Sequence, residues 1–399
     1  MGRRDDGTDT KSRMGYEMNT NEALPAYAQA ETKRRLLEQG ASGTIYALVM
    51  PESEKAIMRV VDGGDIEEIL AAEHPLEMLM RSRRTGWLSR YHEPWTQKQD
   101  EMHAAYFDGW LKWSAPVVVM DANAFPHRYP TAGASEGILK LMAEYCTRLW
   151  SEGGRPTVHV FDGEYEGFAS FAKALCIPVR RHRREDWEMM VHDVDEDAQI
   201  WISQPSSIDG EIWPHFDEFM GTMAAMRPDV QIIPDLSYVG SVAHPYQIAL
   251  DYENVPAFVI SHSKPFGGYY HRCGGVFSRG ERGTLFGNQW FKNLTSLAWG
   301  VEMMSAHGVY DLPRRYRAEQ ERAAALVGRR LGIEGMVPAG VSVLATAPIP
   351  DNPDEIVSTL IRGTGSDRQL RVCLTPTMTR LIAPEMAPSL EALILDDEQ

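Results

Sequence analysis

The sequence predicts an α/β protein, with a larger domain built on a mostly parallel sheet and a smaller α+β domain beside it. Three observations carry this. From residue 115 short apolar runs alternate with helical patterns, the mark of βαβ units. A chain of 399 residues is too long for one small core and suits two domains of ordinary size. The most chemically suggestive residues follow the apolar runs, and the carboxyl ends of strands are where an α/β sheet gathers its ligands.

Residues 1–20 are polar and of mixed sign, and are expected to form a mobile tail without the apolar stretch of a secretory signal. Residues 21–110 are expected to make an N-terminal segment that packs with the small domain. Within it, 24–45 shows a loose helical period, and 51–90 is charged, broken and without an assignable pattern. Tyr91-His92-Glu93-Pro94-Trp95 is a proline-punctuated aromatic loop, and 97–113 reads as an amphipathic helix. The large domain is expected over 111–310. Its strands fall at 117–121, 157–161, 177–181, 199–203, 230–234, 256–261 and 274–278, and its helices at 134–151, 166–175, 212–226 and 284–307. An unusually long loop, ANAFPHRYPTAG, separates the first strand from the first helix. The small domain, 311–399, holds a long charged helix over 314–332, strands at 341–346 and 369–374, and a final helix.

Composition narrows the function. Hydrophobic residues make up 43% and charged residues 24%, as in a soluble globular protein, and no apolar run approaches a bilayer span. The formal net charge of −16 argues against nucleic acid as a partner, since a phosphate backbone needs a basic face. Cys146, Cys176, Cys273 and Cys373 are widely spaced, form no metal-ligand pattern and read as free thiols in a reducing cytoplasm. One local excess of positive charge, Arg180, Arg181, Arg183 and Arg184 around His182, reads either as a solvated strand end or as a site for an anionic group.

The stretch PAFVISHSKPFGGYYHRCGGV, residues 256–276, carries the sharpest signal. A lysine at the end of a buried strand must reach solvent or do chemistry. Lys264 is flanked by Ser261 and Ser263 and followed by the glycine pairs Gly267-Gly268 and Gly274-Gly275, with Arg272 between them. Glycines allow close backbone approach to a ligand, and an arginine holds phosphate by paired hydrogen bonds. The combination points to a lysine forming a Schiff base with a phosphorylated aldehyde cofactor.

That stretch resembles the lysine signature of the class I/II aminotransferases, which are fold-type-I enzymes dependent on pyridoxal 5'-phosphate (PLP), and the resemblance runs over roughly residues 95–385. It implies an aspartate-aminotransferase-like fold and PLP as cofactor. Asp235 and Tyr238, in Pro234-Asp235-Leu236-Ser237-Tyr238, match the family's Asp-x-x-Tyr. Asp235 would keep the pyridine nitrogen protonated and Tyr238 would bond the phenolic oxygen. Ala134 and Ser135, at the start of a helix, would hold the phosphate with Ser261 and Arg272. Tyr165 stands where the family places the ring that stacks on the pyridine. Ser207 stands where relatives carry the asparagine that donates to the phenolic oxygen, so this loop departs from the pattern. Arg371, in QLRVCL, would clamp the substrate α-carboxylate. Tyr91 is a candidate to reach the neighbouring subunit's site in a homodimer, and is otherwise a packed aromatic.

The implied function is a cytoplasmic PLP-dependent enzyme acting on an L-amino acid as a small-molecule substrate, by default an aminotransferase, without metal, nucleic acid or membrane partner. The Ser207 departure keeps open a specialised lyase or synthase, eliminating or replacing a β- or γ-substituent (for example on S-adenosylmethionine), or an oxygen-using enzyme. From another class, a binding module that kept the fold without catalysis is disfavoured by the presence of Lys264, Asp235 and Arg272.

Overall fold

The structure, a computed structural model, describes residues 26–60, 100–290 and 293–384. The expected tail at 1–20 and Tyr91 lie outside the described residues. In chain order the strands of the first part are β1 (Val118–Val119), β2 (His127–Thr131), β3 (Val158–Phe161), β4 (Val179–His182), β5 (Gln199–Ser203), β6 (Gln231–Asp235), β7 (Ile248–Ala249), β8 (Ala257–Ser261) and β9 (Gly274–Ser278). Seven of them form one sheet in the order β2-β9-β8-β6-β5-β3-β4, and only β9 runs against the rest. Every residue of β3, β5, β8 and β9 is buried, which is why these strands read as apolar runs rather than as alternation. On one face the helix Ala134–Ser151 lays Ile138, Leu141 and Met142 against Val160, Val259 and Val276. On the other, the helix Asp100–Ser114 brings Trp110 to 4.9 Å from Phe277, which stacks on Phe258 at 4.7 Å.

Four expectations for this part are corrected. The strand expected at 117–121 is the two-residue β1, which pairs only with β7 in a separate sheet. The strand that leads into the helix at 134 is β2, inside the supposed loop. It is an edge strand paired with β9 alone, so Pro130 costs the sheet no bond on its open side. Its sequence, HRYPT, lacks an apolar alternation. The helix expected over 284–307 is a 3-10 turn, Gly283–Trp290, followed by a separate helix, Leu294–Ala306. Asn293 caps the second, accepting the Ser296 N–H. The helix expected over 212–226 begins at Phe216.

The second sheet has four antiparallel strands: β10 (Val337–Pro338), β11 (Leu344–Ala347), β12 (Ile361–Arg362) and β13 (Gln369–Cys373), in the order β10-β11-β13-β12. The strand expected at 341–346 is thus shifted to β11, and the two-residue β10 and β12 were too short to leave a period. The helix Ala26–Glu38 ends before Gly40, at φ +76°, and Ser42 then exchanges backbone hydrogen bonds of 3.1 and 2.8 Å with Cys373 of β13. The N-terminal segment therefore lies on the second sheet and continues, through residues 43–50, toward the carboxyl edge of the first. Among the described residues no helix is long and apolar enough to cross a membrane.

Candidate active site

The carboxyl ends of adjacent parallel strands collect most of the candidate residues. Glu164 and Tyr165 follow β3, Ser207 follows β5, Tyr238 follows β6, and Ser263 and Lys264 follow β8. Ser203 and Asp235 face each other as register partners of β5 and β6.

At one end lies a cradle for an anion. Gly133 precedes the 18-residue helix at φ +85°, a conformation that suits glycine. A Cβ there would lie 3.1 Å from Nη2 of Arg272. That guanidinium donates to the Ala132 carbonyl at 2.8 Å, and among the described residues it makes no ion pair with a carboxylate. Ser135 Oγ is 3.4 Å from the Tyr165 hydroxyl, and Ser261 Oγ donates to Ser263 Oγ at 3.1 Å. A helix amino terminus, an arginine without an acid and three serine hydroxyls make a donor set suited to a phosphate. The residues present thus fit the phosphate of PLP.

Lys264 donates from Nζ to the carbonyl of Ile45 at 2.5 Å. Burial lowers its pKa to about 8, the guanidiniums of Arg272 and Arg371 push the same way, and Cys373 opposes them. A fraction of the amine is therefore unprotonated near neutrality, as a nucleophile or base requires.

The floor is acidic. Asp235, 5% exposed, accepts the N–H and O–H of Ser237 at 2.9 and 2.6 Å. Burial raises its pKa to about 6 despite those bonds, and Glu164 adds to the rise. Glu164, 6% exposed, was missed in the sequence. It accepts the hydroxyls of Ser203 and Ser207, each at 2.6 Å, and the Ser203 N–H at 3.0 Å, and burial raises its pKa too. A glutamate in a turn at a helix start is normally solvated, so no local pattern separates this one from the rest. Burial pushes the Tyr238 hydroxyl far up, so it stays a neutral donor.

Ser207 is engaged within the protein. Its single hydroxyl proton goes to Glu164, and its N–H goes to Ser203 Oγ at 2.7 Å. A hydroxyl has one hydrogen, so in this arrangement Ser207 cannot also donate to the phenolic oxygen of a cofactor.

Arg371, 3% exposed, donates to the Ser207 carbonyl, beside the residues above. The basic cluster divides. Arg180, Arg181 and Arg183 are exposed, as a strand end would have them. Arg184 is buried, with a bidentate bond to Asp367 at 2.8 and 2.9 Å, a bond to Asp209 at 2.5 Å and one to Ser206 at 3.0 Å. It ties the loop after β5 to the turn before β13, with four of its five N–H groups engaged and two carboxylates answering its charge. Among the described residues no group of three His, Cys, Asp or Glu is placed to hold a metal ion.

No family model matches this sequence. No curated protein matches it either. Solved structures do. An aminotransferase from Staphylococcus aureus covers 88% of this chain and 92% of its own at 11% identity and TM-score 0.58. The aminotransferase AspB from Helicobacter pylori covers 92% and 98% at 13% identity and TM-score 0.55. A PLP-bound C-S lyase from Staphylococcus hominis covers 72% and 83% at 12% identity and TM-score 0.53. At such identities the likeness speaks for the fold. The chain has the aspartate-aminotransferase-like fold of the fold-type-I PLP enzymes.

Proposed function

We propose that the chain is a PLP-dependent enzyme acting at the α-carbon of an L-amino acid, by default an aminotransferase. The observation that carries the reading is the convergence of Lys264, Asp235, Arg272 and Arg371, from β6, β8 and β13 and the segments after them, on one carboxyl edge. When bound, PLP supplies a reactive aldehyde and an electron-withdrawing ring. Arg272, Ser261 and the amino terminus of the helix at Ala134 and Ser135 would bind its phosphate. Asp235 would accept a hydrogen bond from the protonated ring nitrogen, and Tyr165 would cover the ring. Lys264 would hold the cofactor and would move the α-proton at Nζ, in keeping with its lowered pKa. Tyr238 donates to the phenolic oxygen, and Arg371 fixes the α-carboxylate by paired hydrogen bonds.

A second reading rests on Ser207. With its proton given to Glu164, the phenolic oxygen has one direct donor fewer than an asparagine would supply, which alters where a proton returns. Elimination or replacement at the β- or γ-carbon is then the alternative outcome, and a C-S lyase is among the proteins of this fold. Reduction of the PLP-loaded protein with borohydride should attach the cofactor to the peptide containing Lys264. Single turnover of the unreduced PLP-loaded protein with an amino-acid panel should give a keto acid and pyridoxamine phosphate. Cofactor on another residue refutes the lysine assignment, and a product lacking the substituent selects the second reading.

A further inference from the structure

Glu164 is a buried acid to which the proposed reaction assigns no part. It follows β3, and its carboxylate reaches the end of β5, the next strand of the sheet. There it accepts the hydroxyls of Ser203 and Ser207, each at 2.6 Å, and the Ser203 N–H at 3.0 Å. The Tyr165 N–H also donates to it, at 3.3 Å. These four donors are hydroxyls and backbone amides, and none is a cation. Such donors favour the charged form of a carboxylate without cancelling its charge.

The surroundings are those of the cofactor. Tyr165 is the next residue, Ser207 stands in the loop after β5, and Ser203 is the register partner of Asp235 on β6. Register partners on adjacent strands share a face, so Ser203 and Asp235 open on the same side of the sheet. Burial raises the pKa of Asp235 to about 6 and that of Tyr238 far above its ordinary value, and Glu164 pushes both the same way. Burial raises the pKa of Glu164 as well, against the two serine hydroxyls and the guanidinium of Arg184. Arg184 is itself answered by Asp209 and Asp367. Two acids therefore lie in one buried region, and like charges there repel more strongly than in water. A protonated ring nitrogen is the cation that both would favour.

We propose that Glu164 is a positioning residue for the cofactor: it fixes Tyr165, Ser203 and Ser207, and its charge supports that of Asp235 in keeping the ring nitrogen protonated. The inference rests on the PLP reading and deepens it.

The test loads wild type, Glu164→Gln and Glu164→Asp with PLP carrying nitrogen-15 in the ring, and follows that nitrogen by NMR against pH. Glu164→Gln removes the charge, so the ring nitrogen should lose its proton about one pH unit or more below wild type. Glu164→Asp keeps the charge on a shorter arm and should titrate near wild type, even where its melting temperature falls. An acid with a merely structural role would lower the melting temperature in both variants and leave the ring nitrogen unmoved, and that result overturns the proposal. The cofactor-free proteins give a second reading, the carbon-13 signal of the Asp235 carboxyl, identified by its loss in Asp235→Asn. Glu164→Gln should lower the midpoint of that signal by about half a pH unit or more, because a neighbouring negative charge is gone. An unmoved midpoint overturns the proposal, including in a variant that takes up no cofactor. Wild type without borohydride-trapped cofactor on Lys264 overturns the PLP reading and the proposal together. Trapped cofactor with unmoved midpoints overturns the proposal alone.

Discussion

Two buried arginines, Arg184 and Arg371, solve the same problem in opposite ways. Arg184 gives its hydrogen bonds to Asp209 and Asp367, so its charge is neutralised where it stands. Arg371 donates to a backbone carbonyl, and so do Arg272, Lys264 and, for most of its bonds, Arg362. A carbonyl satisfies an N–H without cancelling the charge. The first arrangement fastens two segments together, and the second leaves positive potential for an anion to complete. On the proposed reading, Arg184, bonded to carboxylates, holds the fold, and Arg371, Arg272 and Lys264, bonded to carbonyls, meet a ligand.

The largest expected effect is at Lys264, where charge and chemistry coincide. Lys264→Ala should lower turnover by more than about ten-thousandfold, the upper range for one acid–base group. Its melting temperature should stay close to wild type, because the bond to Ile45 is a single contact. Normal turnover in this variant breaks the comparison at once.

Arg184→Ala should cost about 3–5 kcal/mol of stability by stranding Asp209 and Asp367, as measured by denaturant unfolding. Arg371→Gln leaves no acid unpaired and should cost less than about 1 kcal/mol. If the two variants unfold alike, the distinction between fastened and waiting arginines is wrong.

Asp235 sharpens the comparison from the acidic side. Its folded pKa of about 6 lies above the ordinary carboxylate value, so the folded, PLP-free protein holds this proton more tightly than the unfolded chain. Stability of the PLP-free form should therefore fall as pH rises from about 4 to about 6, by roughly 3 kcal/mol from this group. Asp235→Asn should remove most of that slope, and loading wild type with PLP should restore stability at pH 7. An unchanged slope in the variant assigns it to other groups, Glu164 first.

The smallest effect is confined to binding. Arg371→Gln should weaken binding of the substrate by about 2 kcal/mol through loss of charged hydrogen bonds, read as a rise in KM. An unchanged KM removes Arg371 from the ligand-awaiting group.

The candidate residues that the sequence singles out are those whose neighbours announce them. Lys264 and Arg272 stand among glycines and hydroxyls, and Asp235 and Tyr238 stand at a fixed distance before them. The half-buried setting of Arg362 was illegible because one of its partners, the carbonyl of Gly43, lies 319 positions away along the chain. Glu164 was illegible because Ser203 and Ser207, from another strand end, turn a surface residue type into a floor. The strand β2 escaped because an edge strand with a proline needs little apolar patterning. Ser207 was placed correctly in the loop, yet the direction of its proton depends on Glu164, which one segment alone does not disclose.

The contact between Lys264 and Ile45 also links chemistry to local opening. Gly267, at φ +66°, lets the carbonyl of Leu48 come so close that a Cβ would lie 2.2 Å from it, so residues 45–50 rest directly on the lysine loop. A covalent bond at Nζ removes the ammonium donor from the Ile45 carbonyl, 219 positions earlier in the chain. Amide deuterium uptake over residues 43–50 then becomes a gauge of what is attached at residue 264, readable without any substrate turning over.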